Sequence, residues 1–165
     1  MGNNPQNVLI IRSAKKMNIP TETDWGGAKL HGDEGYAFRH FAGKSLSEAQ
    51  KLFEKDALTY QEDLTWMPMK PFKFYLRAFM DYLDSEESEG DSDGASCFIS
   101  LISQKLGTES DYLTELWPRI EESLEAIKSK QDWYQADEDI YGDFTRRVAK
   151  VYKKANKPNK AVFHR

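Results

Sequence analysis

The clearest pattern of apolar and polar positions in the chain lies between residues 72 and 83. Apolar side chains that recur every three or four positions share one face of an α-helix, and that face packs against the rest of the protein. Pro71 stands at the start of this pattern, and a proline is well tolerated in the first turn of a helix because the amide that it lacks has no helical partner there. We therefore predict a core helix whose buried face consists of Phe72, Tyr75, Leu76, Phe79 and Leu83.

A second helix is predicted to begin at Ser45. Ser45 and Glu48 have the spacing of a capping box, in which each side chain accepts a hydrogen bond from the backbone amide of the other residue. The preceding Gly43 and Lys44 resemble the end of a phosphate-binding loop, but the full pattern needs a glycine where Phe38 stands. A turn followed by a capped helix is the better interpretation, and the apolar face of that helix comprises Leu46, Ala49, Leu52, Phe53 and Ala57.

Two further segments in the second half of the chain have helical spacing. A helix over residues 96–106 would follow a polar, acidic loop over 84–95 and would end at Gly107, a residue type that is common just beyond helix ends. The pattern over 113–127 is interrupted by Pro118. Because a proline inside a helix costs about 3 kcal/mol or more, we expect either a kink or two abutting helices there.

The two ends of the chain differ in pattern. A last helix is predicted over residues 140–155, with Ile140, Phe144, Val148, Val151 and Tyr152 on its apolar side. The first 44 residues are punctuated by Pro20 and several glycines, which predicts an irregular segment, and the run 8–11 could be a short strand or the start of a helix. The irregular segment is expected to be anchored to the core by Trp25, Leu30, Tyr36 and Phe38.

These patterns together predict an all-α protein with a single domain of five or six helices. We divide the chain into an irregular N-terminal segment, 1–44, a helical core, 45–156, and a basic tail, 157–165. A length of 165 residues suits one hydrophobic core. Although only 39% of the residues are hydrophobic, aromatic residues make up 13% of the chain and can bury a large area each, so we expect it to fold.

The sequence also suggests a compartment. Its one cysteine, Cys97, cannot form an intramolecular disulfide, which favours a reducing environment. The apolar run over residues 8–11 is too short for the core of a signal peptide. The longest uncharged apolar stretch, 94–104, is far shorter than the roughly 20 residues of a membrane span. We therefore expect a cytoplasmic protein.

Charge is distributed very unevenly along the chain. The net charge is −4, but all 27 acidic residues lie at or before Asp143. Residues 1–145 contain 15 basic side chains against those 27 acidic ones, whereas the residues from Arg146 onward contain eight basic side chains and no acidic one. The body of the protein should therefore attract basic partners and repel nucleic acid, and the C-terminal end should do the reverse.

The acidic residues are most concentrated between Asp81 and Asp93, where seven carboxylates fall within 13 residues without a lysine or arginine. Such a run is either a solvated loop or a surface that meets a basic partner, for which complementary charge speeds association. Our leading hypothesis is a non-enzymatic cytoplasmic binding protein that engages and neutralises a basic protein, such as an immunity or antitoxin-type protein against a nuclease-like toxin. The predicted partner-binding residues are Asp84, Glu86, Glu87, Glu89, Asp91 and Asp93.

Two alternatives remain open. The first is a small enzyme with a site in residues 25–45, built from His31, Asp33, Glu34 and His40. The second is a nucleic-acid-associated protein that acts through the basic C-terminal end. We predict no catalytic residue, metal or cofactor, since no motif is complete. The calcium-loop pattern that starts at Glu89, for example, has Ser100 where a bidentate glutamate is needed.

Overall fold

A computed structural model describes residues 18–27 and 31–157 of the protein. They form an all-α single domain with six helices of ten residues or more, a one-turn helix and no strand within the described ranges, as the sequence predicts. The possible strand at residues 8–11 lies outside them. The helices are α1 (Gly32–Phe41), α2 (Leu46–Thr65), α3 (Met69–Asp84), α4 (Ser92–Thr108), α5 (Trp117–Ser129), the one-turn α6 (Glu138–Tyr141) and α7 (Phe144–Ala155).

Helix α3 forms the centre of the core. It packs against α2 and α5, while α4 packs against α2 on one side and α7 on the other. All five residues of the predicted apolar stripe are buried. Phe79 stacks on Phe53 of α2 at a ring-centroid distance of 4.7 Å and meets Phe98 of α4 edge-on at 5.5 Å. Aromatic rings therefore supply much of the buried apolar area in a chain with few aliphatic residues.

Helix α2 begins as predicted and then bends. The hydroxyl of Ser45 accepts from the amide of Glu48 at 3.2 Å, and the Glu48 carboxylate accepts from the amide of Ser45 at 2.8 Å. At Asp56 the backbone is extended, with φ −163° and ψ 82°, so two helical segments meet there. The Asp56 carboxylate accepts hydrogen bonds from the amide and hydroxyl of Thr59, which caps the second segment.

The predicted irregular segment is partly helical, because α1 occupies residues 32–41. Asp33 and Glu34 lie in its first turn, where carboxylates interact favourably with the helix dipole. Of the predicted anchors, Trp25 is buried and contacts the ring of Phe38 edge-on at 5.4 Å. Tyr36, in contrast, is 55% exposed and does not anchor the segment. Leu30 lies outside the described residues.

Helix α4 is longer than predicted, since it starts at Ser92 and not at Ser96. The Asp91 carboxylate caps it by accepting from the amide of Gly94 at 2.8 Å. A Cβ atom at position 94 would lie 2.4 Å from the Asp91 carboxylate and 3.2 Å from the side chain of Ala57. The glycine thus permits both the cap and the close approach of α4 to α2, and the predicted acidic loop is correspondingly shorter.

The C-terminal helix is shorter than predicted. Gly142 adopts a positive φ of 75° and separates α6 from α7, which begins after the capping residue Asp143. Ile140 is consequently 74% exposed, so its predicted burial is wrong. Pro118 occupies the first turn of α5, so the chain starts a helix there and no helix is kinked by it. No helix among the described residues combines the length and apolar character needed to cross a bilayer.

Candidate partner-binding site

The structure divides the acidic run into three sets of carboxylates, which are two aspartates near Arg119, three exposed glutamates, and the pair Asp91 and Asp93 at the start of α4. Asp84 pairs with the guanidinium of Arg119 on α5, and the Asp81 carboxylate lies 3.6 Å from the same group. These two carboxylates therefore contribute to the contact between α3 and α5. Although Asp84 was predicted to bind a partner, its charge is already compensated within the protein.

Glu86, Glu87 and Glu89 form the second set. Glu86 and Glu87 lie in a single 3-10 turn, Glu89 follows it directly, and all three side chains are exposed. Buried Ser88 holds the turn in place, since its hydroxyl lies within hydrogen-bond distance of the carbonyls of Leu83 and Ser85. Within the described ranges, none of these glutamates forms an ion pair with a lysine or arginine.

A groove of about 360 Å³ lies beside this turn, between the bend of α2 and the N-terminus of α4. Among the described residues that line it, Lys55 is the one cation. We call it the acidic groove, because five carboxylates line it: Glu54, Asp56, Glu89, Asp91 and Asp93. Three of these were predicted from the sequence. Glu54 and Asp56 were missed, because only folding brings α2 against residues more than 30 positions away in the chain.

Neutral donors hold three of these carboxylates. The Tyr82 hydroxyl donates to Asp91 at 2.7 Å, the Tyr141 hydroxyl donates to Asp93 at 2.9 Å, and Thr59 donates to Asp56. The bonds from Thr59 keep the pKa of Asp56 below its usual value. Hydrogen bonds from uncharged groups orient a carboxylate without cancelling its charge, so the groove keeps a concentrated negative potential.

An apolar side chain completes the acidic groove. Leu58 lines it and is 48% exposed. The side chains of lysine and arginine have apolar stems and charged ends. A groove with an exposed leucine among carboxylates can contact both parts of such a side chain.

The residues of the enzyme hypothesis do not gather at one point. His31 precedes α1 and His40 lies in its last turn, so nine residues of helical rise separate them by roughly 13 Å. Asp33 and Glu34 are exposed in the first turn. His40 instead contacts Asp63 of α2, with 2.7 Å between the imidazole Nδ1 and the carboxylate.

The His40–Asp63 contact is an interaction that the sequence did not indicate. Burial raises the pKa of Asp63, although the hydrogen bond with His40 opposes that shift. His40 also packs edge-on against the ring of Tyr60 at 5.3 Å. No group of three metal-capable side chains is present in the described part of the chain. The structure therefore shows one oriented imidazole but does not bring the other residues of the enzyme hypothesis close to it. The hypothesis stays a prediction.

Two other sequence features have structural explanations. Gly43 has a positive φ of 78° in the turn before α2, as expected of a turn glycine. Cys97 is half-buried on α4, and burial, together with the charges of Asp93 and Asp91, raises the pKa of its thiol. Because the thiolate is the reactive form, this environment disfavours nucleophilic chemistry at Cys97.

Comparison with known proteins does not narrow the function. No family model matches the chain, and neither a curated protein nor a solved structure is significantly similar to it.

Proposed function

We propose that the protein is a non-enzymatic binding protein whose acidic groove engages a basic protein partner and neutralises it. The observation that carries this proposal is the convergence of five carboxylates, from two helices and the loop before α4, on one groove that contains a single lysine. Glu86 and Glu87 add two exposed charges on the adjoining turn.

Electrostatic repulsion supports an interaction role for this surface. Carboxylates that crowd together without cations repel one another and lower the stability of the compact state. Binding a cationic surface relieves that repulsion, and complementary charge also raises the association rate and selects among partners. The repulsion therefore lowers the folding stability of the free protein, and binding a basic partner restores that stability in the complex.

The charge also indicates the class of partner. Proteins that cleave nucleic acids hold phosphates with lysine and arginine, so their active surfaces are strongly basic. A groove lined with carboxylates presents a similar density of negative charge and can occupy such a surface in place of the nucleic acid. An immunity or antitoxin-type protein against a nuclease-like toxin fits this description.

The test compares two variants with the same change in net charge. The groove variant carries Glu54→Gln, Glu86→Gln, Glu87→Gln and Glu89→Gln, whose side chains form no hydrogen bond or ion pair within the described ranges. The control variant neutralises four exposed carboxylates elsewhere, at Glu62, Asp111, Glu122 and Asp132. The probe is a short arginine-rich peptide, and its affinity is measured by fluorescence anisotropy at low and at moderate salt.

We expect the groove variant to bind the peptide about tenfold more weakly, because four exposed ion pairs contribute about 0.2–1 kcal/mol each. The control variant should lose much less affinity, and added salt should weaken binding to the wild type more than binding to the groove variant. Equal losses in the two variants would contradict the proposal, since they would reflect net charge alone. The same pair of variants can then be used to capture a basic protein from native cells, which the control should retain and the groove variant should not.

A further inference from the structure

A second groove of about 350 Å³ lies between α4 and α7, on the other side of α4 from α2. We call it the basic groove. Its polar lining consists of three cations from α7, Arg147, Lys150 and Lys154, together with Ser100, Ser103 and Gln104 from α4. Ile99 and Val151 form its apolar floor.

None of the described residues that line the basic groove is a carboxylate, and the helical stretches that form it contain none either. Residues 94–108 of α4 and residues 144–155 of α7 include no aspartate or glutamate, in a chain that has 27 of them. Within the described ranges, no ion pair involves Arg147, Lys150 or Lys154. The three positive charges are therefore not compensated inside the protein.

Arg147 is positioned by neutral groups. Its guanidinium donates to the Ser96 hydroxyl at 2.8 Å, the Ser96 carbonyl at 3.0 Å, the Ser100 hydroxyl at 2.9 Å and the Tyr141 carbonyl at 2.9 Å. These contacts use four of its five N–H groups and fix it at the end of the groove. Its positive charge can still attract a ligand, but only one of its N–H groups remains free to donate a hydrogen bond to that ligand.

The two lysines keep free donors. Lys154 donates to the carbonyl and hydroxyl of Ser103, and an ammonium group has a third N–H bond for a ligand. Lys150 is exposed and lies between the other two cations along the helix. Arg147 and Lys154 are seven residues apart, which places them roughly 10 Å apart along the axis of α7.

We propose that the basic groove binds an oligophosphate group, with Lys150, Lys154 and the neighbouring serine hydroxyls as hydrogen-bond donors and Arg147 as a fixed positive charge. Three cations in a row can each contact one anionic group, so a ligand with several phosphates in line fits the groove better than a single phosphate does. The proposal is independent of the acidic groove, because the two grooves share no lining residue.

A free oligophosphate fits the groove better than a nucleic acid does. Among the described residues, none that lines the groove is aromatic and could stack on a base. Residues 1–145 carry 27 acidic against 15 basic side chains and would repel a long polyanion. A short ligand would occupy the basic groove without meeting that charge.

The experiment titrates the full chain with sodium tripolyphosphate and follows binding by calorimetry and by amide chemical shifts. The groove variant is Lys150→Gln with Lys154→Gln, and Lys150→Gln alone is a milder version that leaves the contacts of Lys154 intact. The control, Lys153→Gln with Lys157→Gln, removes two exposed cations from the same end of the chain that do not line the groove. Separate titrations use inorganic phosphate and a short single-stranded oligonucleotide.

We expect the double groove variant to bind tripolyphosphate at least tenfold more weakly and the single variant a few-fold more weakly, while the control stays within twofold of the wild type. Shift changes should centre on residues 99–104 and 147–154, and phosphate should bind more weakly than tripolyphosphate. Equal losses in the control and groove variants, or no loss in either, would overturn the proposal. Tighter binding of the oligonucleotide, lost in the groove variant, would also overturn it and would assign the groove to a nucleic-acid backbone.

Discussion

The acidic groove, at the N-terminal end of α4, and the basic groove, between α4 and α7, both contain charged side chains that uncharged groups hold in place, but the charges have opposite signs. In the acidic groove, carboxylates are held by tyrosine and threonine hydroxyls. In the basic groove, the arginine and one lysine are held by serine hydroxyls and backbone carbonyls. Neither set of charges is neutralised by the partners that position it.

The two grooves differ in how closely their charges are tied to the fold. Asp56 and Asp91 each cap a helix, so these acidic side chains stabilise the backbone as well as carrying charge. Within the described part of the chain, Lys150 forms no hydrogen bond or ion pair, and Lys154 donates hydrogen bonds to one residue of α4. Charge in the acidic groove can therefore be changed safely only at its glutamates, whereas in the basic groove the lysines can be changed and Arg147 cannot.

The largest effect is expected for Arg147→Ala. This change removes four hydrogen bonds that tie α7 to α4 and to Tyr141, and we expect it to lower the free energy of unfolding by about 2–4 kcal/mol. Urea denaturation measures the change. Arg146→Ala is the control, because that side chain is 84% exposed and should change stability by less than about 0.5 kcal/mol. Similar losses of unfolding free energy in the two variants would show that the hydrogen bonds of Arg147 do not stabilise the packing of α7 on α4.

A smaller effect is expected for Gly94→Ala. The added methyl group would meet the Asp91 carboxylate and Ala57, so the change should destabilise the protein by about 1–3 kcal/mol and disturb the acidic groove. Thermal unfolding and peptide binding are the measurements.

Gly107→Ala provides the matched control on the same helix. Its Cβ would lie 3.3 Å from the flexible end of Lys154, and alanine favours a helix by up to about 1 kcal/mol over glycine. Stability should therefore change little, and only binding in the basic groove should weaken. A protein that tolerates Gly94→Ala as well as Gly107→Ala would contradict the close packing of α4 on α2.

The smallest effect concerns the pH dependence of stability at Asp56. Hydrogen bonds from Thr59 keep the pKa of this carboxyl below 3.8 in the folded protein, so the unfolded state takes up its proton first as the pH falls. The stabilisation is complete above the unfolded pKa and is lost as the pH falls through the folded pKa. Asp56→Asn should therefore be less stable than the wild type near neutral pH, and the difference should shrink in acid.

Urea denaturation at a series of pH values checks this difference. Asp132→Asn serves as the comparison, because Asp132 is an exposed carboxylate in the turn after α5 whose side chain forms no hydrogen bond or ion pair within the described ranges. A constant difference between the wild type and Asp56→Asn across the acid range would show that the Thr59 contacts do not hold the carboxylate.

Local patterns predicted the parts of the fold that depend on neighbours in the chain. The stripe of α3 and the capping box of α2 involve residues three or four positions apart, and the structure confirms both. The early start of α4 was missed, because Asp91, Ser92 and Gly94 read as loop residues until Asp91 is seen to cap the helix. Ile140 was misplaced because the break at Gly142 was not recognised.

The candidate site was likewise predicted only where its residues are close together in the sequence. The sequence pointed to the acidic run, and Glu89, Asp91 and Asp93 from that run do line the acidic groove. It could not show that Asp84 pairs with Arg119, which lies on a helix 35 positions away. It could not include Glu54 and Asp56 either, since α2 and α4 are neighbours only in the folded protein.

The amino-acid sequence by itself determined that this protein is helical, that it has an aromatic core, and that its negative and positive charges are segregated along the chain. These properties follow from residue types and from spacings within a few turns of helix. Only the tertiary structure decided which charges are compensated and which converge on a groove. Coulomb interactions depend on distance in space, and packing places α4 between α2 and α7, so that it forms one wall of each groove.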